Sequence, residues 1–265
     1  MRRPPKKQQR PPQRAATRDA APERDLELTY GLRAGLALVA ARPTSIVKVA
    51  YARELERELG EVLRAASARG LRAVAMSDAE LARISGSSHH EGLCVAATPR
   101  AWLPAAKLAD LLVERRGVAI ALDRVRNPYN VGAILRGAAF FGVDAALLGA
   151  PAPHPALAPD AIRVAEGGVE HLALSRTTDL ADTLARLRSR GARVYGADGA
   201  ARESAIGFAF ERPAILVVGH EREGLSPRVR AECDHLLAIR GAGAVESLNV
   251  AVATGILVSE LLRGR

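Results

Sequence analysis

Hydrophobic and polar positions change rhythm several times along this chain, and each change predicts an element. In "YGLRAGLALVAAR" the apolar residues Leu32, Leu36 and Val39 recur at helical spacing. "SIVKVAYA" reads as a strand, "ELERELGEVLRAASARG" as a helix closed by Gly70, and "LRAVAM" as a second strand. Asp78 opens a short helix, "DAELARIS", and "HHEGLCVAAT" is another strand. Residues 28–98 thus form a small α/β unit of a size that folds as a domain. "PRAWLP" breaks the rhythm with two prolines, and "AAKLADLLVERRG" is helical, so 99–116 reads as linker and helix.

From residue 117 to 265 the alternation is more regular. "GVAIALD" is a strand, Asn127-Pro128 turns the chain, and "NVGAILRGAAFFG" is a helix. "VDAALLG" is a strand, and a Pro-rich loop, "APAPHPALAP", precedes "DAIRVAEGGVEHLAL". The helix "DLADTLARLRSRG" follows, then the strands "ARVYGAD" and "PAILVVG". "SPRVRAECD" is a short helix with Ser226 as N-cap, "HLLAI" a strand, and the last helix begins near Ser247. Strands made of consecutive apolar residues and separated by helices predict a parallel sheet covered on both faces.

Composition sharpens this picture. Of the 265 residues 48% are hydrophobic but only 3% aromatic, so Leu, Val, Ile and Ala must fill the core. The formal net charge of +9 suits an acidic partner such as nucleic acid. Residues 1–24 contribute +6 of it, within a Pro-, Arg- and Gln-rich tail (residues 1–27) expected to be disordered. Such an arm either holds RNA phosphates weakly or serves solubility. Cys94 and Cys233 stand far apart and suit reduced thiols in a cytosolic protein. The N-terminus lacks the apolar core of a signal peptide and no run is long enough to span a bilayer, so a cytoplasmic location is expected. His89-His90-Glu91 is the nearest approach to a metal cluster, but no matching cluster accompanies it, and no metal is expected.

Ligands of parallel α/β sheets bind beyond the carboxyl ends of strands. Three such ends carry polar residues. In "DRVRNPYNVGAILRGAAFFG", Asn130 falls where a helix N-cap is wanted, Gly132 leaves the first turn bare, and Arg136 has the planar fork that grips phosphate. In "ILVVGHEREGLSP", Glu221 follows Gly219; a tight turn with a solvated glutamate fits as well. In "IRGAGAVESLNVAVATG", Ser247 can cap the last helix, which places Asn249 inside the first turn, where asparagine is a poor helix former and needs a partner.

Together these stretches resemble the three ordered motifs of the SpoU–TrmH family of RNA ribose 2′-O-methyltransferases, within the SPOUT superfamily. "IRVAEGGVEHL" is similar to the family's segment between the first two motifs, and residues 28–98 resemble the L30e-like substrate-binding domain that often precedes the catalytic one. The resemblance implies an α/β fold with a parallel sheet and a C-terminal trefoil knot, a homodimer, and S-adenosylmethionine as cofactor. It implies that Gly219, Ile239 and Leu248 hold the cofactor, and that Asn130, Arg136, Glu221, Ser247 and Asn249 form the catalytic set. In that scheme Asn130 orients the substrate or Arg136. Glu221 fixes Arg136 or the third loop. Ser247 and Asn249 hold cofactor loop and substrate. The RNA, ribosomal or transfer, would be read mainly through phosphates and 2′-hydroxyls, because few aromatic residues are available for stacking. Where the family reads Ile-Pro-Met, this chain has Ile239-Arg240-Gly241, which puts a charge beside the cofactor's methionine moiety and removes a packing side chain. The alternative function is a non-catalytic RNA-binding or ribosome-assembly factor on the same scaffold.

Overall fold

Two sheets organise the described residues, 26–149 and 157–263, of this computed structural model. Residues 1–25 of the expected tail and 150–156 of the Pro-rich loop lie outside that description. The first sheet has the order β1-β4-β2-β3, from β1 (Glu27–Tyr30), β2 (Ile46–Ala52), β3 (Ala73–Met76) and β4 (Leu93–Ala97). β4 runs antiparallel to β1 and β2, and β3 parallel to β2. Helices α1 (Leu32–Ala41), α2 (Gly60–Ala68) and α3 (Asp78–Ser85) join these strands. Leu38, Val49, Leu59 and Val95 form one core of this unit, and Tyr30, Ala50, Leu81 and Cys94 a second, smaller one.

The second sheet is parallel throughout. Its strands are β5 (Val118–Asp123), β6 (Ala145–Gly149), β7 (Ala173–Thr177), β8 (Arg193–Ala197), the two-residue β9 (Glu203–Ser204), β10 (Ala214–Val218) and β11 (His235–Ala238), in the order β7-β6-β5-β10-β8-β11-β9. The apolar runs divide by strand parity. Val118, Ile120 and Leu122 face one core with α5 (Pro128–Phe141), α6 (Pro159–Val164) and α9 (Val250–Leu262). Ala119 and Ala121 face the other, with α4 (Ala105–Arg115), α7 (Leu180–Ser189) and α8 (Pro227–Ala231). After β5 the chain moves one way across the sheet, to β6; after β10 it moves the other way, to β11. The carboxyl ends of β5 and β10 therefore flank a topological switch point, the favoured ligand crevice of such sheets.

Several local expectations need correction. β1 and β9 were not foreseen, and β1 opens at Glu27, inside the stretch read as tail. The helix read from Glu54 begins only at Gly60, after a 3-10 turn at Arg53–Leu55; Gly60 is a poor interior helix residue, and Leu59 is buried at the join. Gly70 does close it, at φ 68°, with the Leu71 N–H donating to the Ala66 carbonyl. The cap of α5 is Asn127, not Asn130: its side chain accepts from the Tyr129 N–H at 3.0 Å and Pro128 fills the first helical position. Gly132 serves packing rather than a bare turn, since a Cβ there would meet the Ala161 carbonyl oxygen at 2.5 Å. Ser226 stands at the N-cap of α8 without a capping side-chain bond; its N–H donates to Asp123 instead. The cap of α9 is Asn249, not Ser247.

Candidate functional site

Because Asn127 caps α5, Asn130 is released from that duty and sits in the first turn, facing the switch point. There it joins the loop that follows β10. That loop folds back tightly: the backbones of His220 and Gly224 exchange hydrogen bonds of 3.1 and 2.9 Å. Gly219 has no room for a side chain, because a Cβ would lie 2.3 Å from the Gly224 carbonyl carbon. The turn holds Glu221 at the surface, where its Oε1 accepts from Asn130 Nδ2 at 2.7 Å. Arg124, after β5, clamps the same turn by an ion pair to Glu223 and a 3.1 Å bond to the Gly224 carbonyl.

Asn249 completes the set. Its Oδ1 accepts from the N–H groups of Ala251 (2.9 Å) and Val252 (3.4 Å), and its Nδ2 donates to Asn130 Oδ1 at 3.0 Å. This chain has one direction. The helix N–H donors require the Asn249 oxygen, so its amide nitrogen must face Asn130. The Asn130 oxygen must then accept, and its nitrogen must donate to Glu221, which acts as the terminal acceptor. Three loops from distant parts of the sequence are thus joined by one relay.

The structure separates Arg136 from that relay. Of the two partners expected for Glu221, Arg136 or the third loop, it bonds neither directly but holds Asn130, while Arg136 pairs with Glu166, Nη1 to Oε1 at 2.9 Å. The Arg136 side chain is 53% exposed, so its fork is open to an incoming anion. Glu166 was not a candidate from the sequence; the only signal was the Glu-Gly-Gly run in "IRVAEGGVEHL".

The loop between β11 and α9 is where the sequence resemblance leads us to expect the cofactor. Ile239 packs on the core at its mouth, and Leu248 is exposed at its far end. Residues 241–248 are exposed, and among the described residues their backbone makes no backbone–backbone hydrogen bond. Ser247 is exposed in the same loop. Arg240, expected beside the methionine moiety, turns away: its Nη2 donates to the carbonyls of Ala201 (2.8 Å) and Arg202 (2.7 Å). A Cβ at Gly241 would meet nothing within 4 Å. Among the described residues no cluster of His, Cys, Asp and Glu is arranged to hold a metal, and no helix is long and apolar enough to cross a membrane. His90 bonds locally, its Nδ1 accepting from the Gly92 N–H at 3.1 Å. Burial pushes the Cys94 thiol up to about 11; burial, with the charge of Asp234, pushes Cys233 up to about 12.

Residues 117–259 match the SpoU rRNA Methylase family, and residues 28–102 match a family described as RNA 2′-O ribose methyltransferase substrate binding. The chain is 34% identical over 243 residues to a 23S rRNA (guanosine-2′-O-)-methyltransferase, RlmB, of Ralstonia nicotianae, covering 90% of this chain and 96% of that protein. It is 32% identical to an uncharacterized tRNA/rRNA methyltransferase of Mycobacterium avium, covering 98% of this chain and 83% of that one. Among solved structures, an RNA methyltransferase of the TrmH family from Porphyromonas gingivalis superposes with a TM-score of 0.71 at 28% identity, covering 90% of each chain. The AdoMet-bound rRNA methyltransferase of Sinorhizobium meliloti shares the fold, with a TM-score of 0.75 at 24% identity over 91% of this chain and 88% of that one.

Proposed function

The chain belongs to the SpoU rRNA Methylase family, and on that premise we propose that it methylates a ribose 2′-hydroxyl of ribosomal or transfer RNA with S-adenosylmethionine as donor. The observation that carries this reading is the Glu221–Asn130–Asn249 relay, which joins the three motif loops at the switch point beside an exposed Arg136. The open backbone of 241–248, seated between Ile239 and Leu248, fits a nucleoside: an apolar seat with a few main-chain polar groups.

When bound, the cofactor supplies an electrophilic methyl group on a positively charged sulfur. The chain's own task is to present the 2′-oxygen and support the charge that grows on it. Arg136 is suited to hold the adjoining phosphate and stabilise that charge. A guanidinium with a pKa above about 12 is a poor proton acceptor, so Arg136 is assigned as clamp, not base. Gly219, Ile239 and Leu248 form the cofactor seat, Ser247 and Asn249 border it, and Asn130, fixed by Glu221, lies between seat and substrate. Arg136→Ala should abolish methyl transfer to RNA while calorimetry still detects cofactor binding; unchanged turnover would remove the assignment. RNA binding without cofactor binding or transfer would favour the assembly-factor alternative. The outward turn of Arg240 removes the main reason to prefer that alternative.

The proposed division of labour is RNA selection by residues 28–98 and chemistry by 117–265, in the cytoplasm. The reading includes a knotted C-terminal segment, in which α9 packs back on α5 after the 239–249 loop. A homodimer is supported by the outward face of α5, where Tyr129, Ala133, Gly137 and Phe140 share one side, and by Val252 on α9. Phe140 is 84% exposed. Phe140→Asp should shift the molar mass measured by light scattering from dimer to monomer; an unchanged mass would exclude this face.

A further inference from the structure

Segment 159–170 is a ledge on the second sheet, and the first unit docks onto it. Tyr30 hydrogen-bonds Asp160, Arg163 pairs with Glu91, and Glu170 joins Arg42 and Arg100. At its centre the turn Glu166-Gly167-Gly168 is pressed between two helices. A Cβ at Gly167 would meet Ala37 Cβ of α1 at 2.5 Å. A Cβ at Gly168 would meet Arg136 Cα at 3.0 Å and the Leu135 carbonyl oxygen at 3.1 Å. The Glu166 carboxylate is divided the same way. Its Oε1 takes Arg136 Nη1 at 2.9 Å, and its Oε2 takes Arg33 Nη1, from α1, at 3.1 Å. Glu166 itself has φ 45°, a left-handed conformation that a non-glycine residue rarely adopts.

We propose that Glu166 is a positioning residue that holds the Arg136 guanidinium in place for RNA, and that Arg33 of the RNA-selecting unit sets the strength of that hold by sharing the same carboxylate. The inference rests on the methyltransferase reading and on the assignment of Arg136 to the RNA phosphate. An Arg136 tethered at one nitrogen keeps the rest of its fork free and aimed where charge grows on the 2′-oxygen, so the tether acts on the transition state more than on RNA binding. Arg33 keeps the second oxygen occupied, so the carboxylate does not close bidentately on Arg136 and compete with the RNA. The unit that selects RNA thereby touches the group that supports the chemistry through a single side chain.

The test uses the full chain, with methyl transfer measured on bulk ribosomal and transfer RNA from cells lacking the gene. Glu166→Gln keeps the shape and removes the charge. Glu166→Gly removes the carboxylate and relieves the left-handed backbone, so it should fold at least as stably as the parent. Both should bind S-adenosylmethionine unchanged and keep the apparent KM for RNA, while kcat falls on the order of ten- to a hundredfold, as misplacement of a catalytic group does. Arg33→Ala alone should lower kcat less, and should lower it no further in the Glu166→Gln background. A kcat within twofold of the parent in both Glu166 variants, a loss confined to KM, or additive effects of Arg33→Ala and Glu166→Gln would overturn the inference. If the parent chain itself transfers no methyl group to either RNA, the methyltransferase reading fails, which the variants cannot mimic.

Discussion

At the scale of single residues, the site is governed by which asparagine caps which helix. Asn127 and Asn249 satisfy the first N–H groups of α5 and α9, and Asn130, spared that task, links the loops. Asn249 caps and links at once. Asn249→Ala should therefore cost about 1 kcal/mol of stability from the lost cap and lower turnover as well, because Asn130 loses the partner that fixes its amide. Asn130→Asp is the sharper probe. It replaces the donor facing Glu221 with a second carboxylate and should reduce turnover by about a hundredfold, as a misaligned site does, with a small change in melting temperature. The roles of Asn130 and Asn249 were half legible in the sequence. An asparagine near a helix start is a visible signal, but the capping position depends on where Pro128 starts the helix, and that is decided by backbone geometry. The thiols make a separate prediction. Burial raises both above their ordinary value, so at pH 8 neither Cys94 nor Cys233 should react with a disulfide reagent until the protein is unfolded.

At the scale of elements, close helix packing explains glycines that look functional in the sequence. Gly132 lets α5 lie against α6, and the atom that would oppose a side chain is backbone, which cannot swing aside. Gly132→Ala should destabilise the fold by about 1–3 kcal/mol, visible as a lower denaturant midpoint with an unchanged slope. Gly241→Ala, in open space, should leave stability unaltered. Strands and helices of the second sheet were legible because buried parallel strands are continuous apolar runs with helical spacing between them. β1 and β9 were not: β1 is four residues ending beside a glycine, and β9 is two residues paired with β11 at the edge of the described sheet. The pairing of Glu166 with Arg136 was equally hidden, since it arises from the docking of a ledge and not from any local pattern.

At the scale of the whole molecule, the two units are held together by charge. Glu27, Arg42, Arg100 and Glu170 form one cluster, in which the Arg100 side chain is 7% exposed and that of Glu170 3%. Burial works to raise the Glu27 carboxyl, but the hydrogen bond and charge of Arg100, then those of Arg42, hold it below its ordinary value of 4.5. A depressed carboxyl contributes stability that is fully present above pH 4.5 and lost as pH falls below it, through the folded value. Melting temperature should therefore decline across that acid range, and less so in Glu27→Gln. Arg100→Ala leaves two buried carboxylates short of a partner and should cost about 3–5 kcal/mol. Removing the exposed Arg33–Glu166 contact should cost under about 1 kcal/mol.

That buried cluster has a consequence for what the protein can measure. Two units joined through a largely buried charge network meet each RNA at one preferred spacing. On the proposed reading they form a caliper with fixed jaws: one grips a landmark in the RNA, the other reaches a ribose at a set separation. Moving the target nucleotide along its strand relative to the landmark should then abolish its modification without weakening binding.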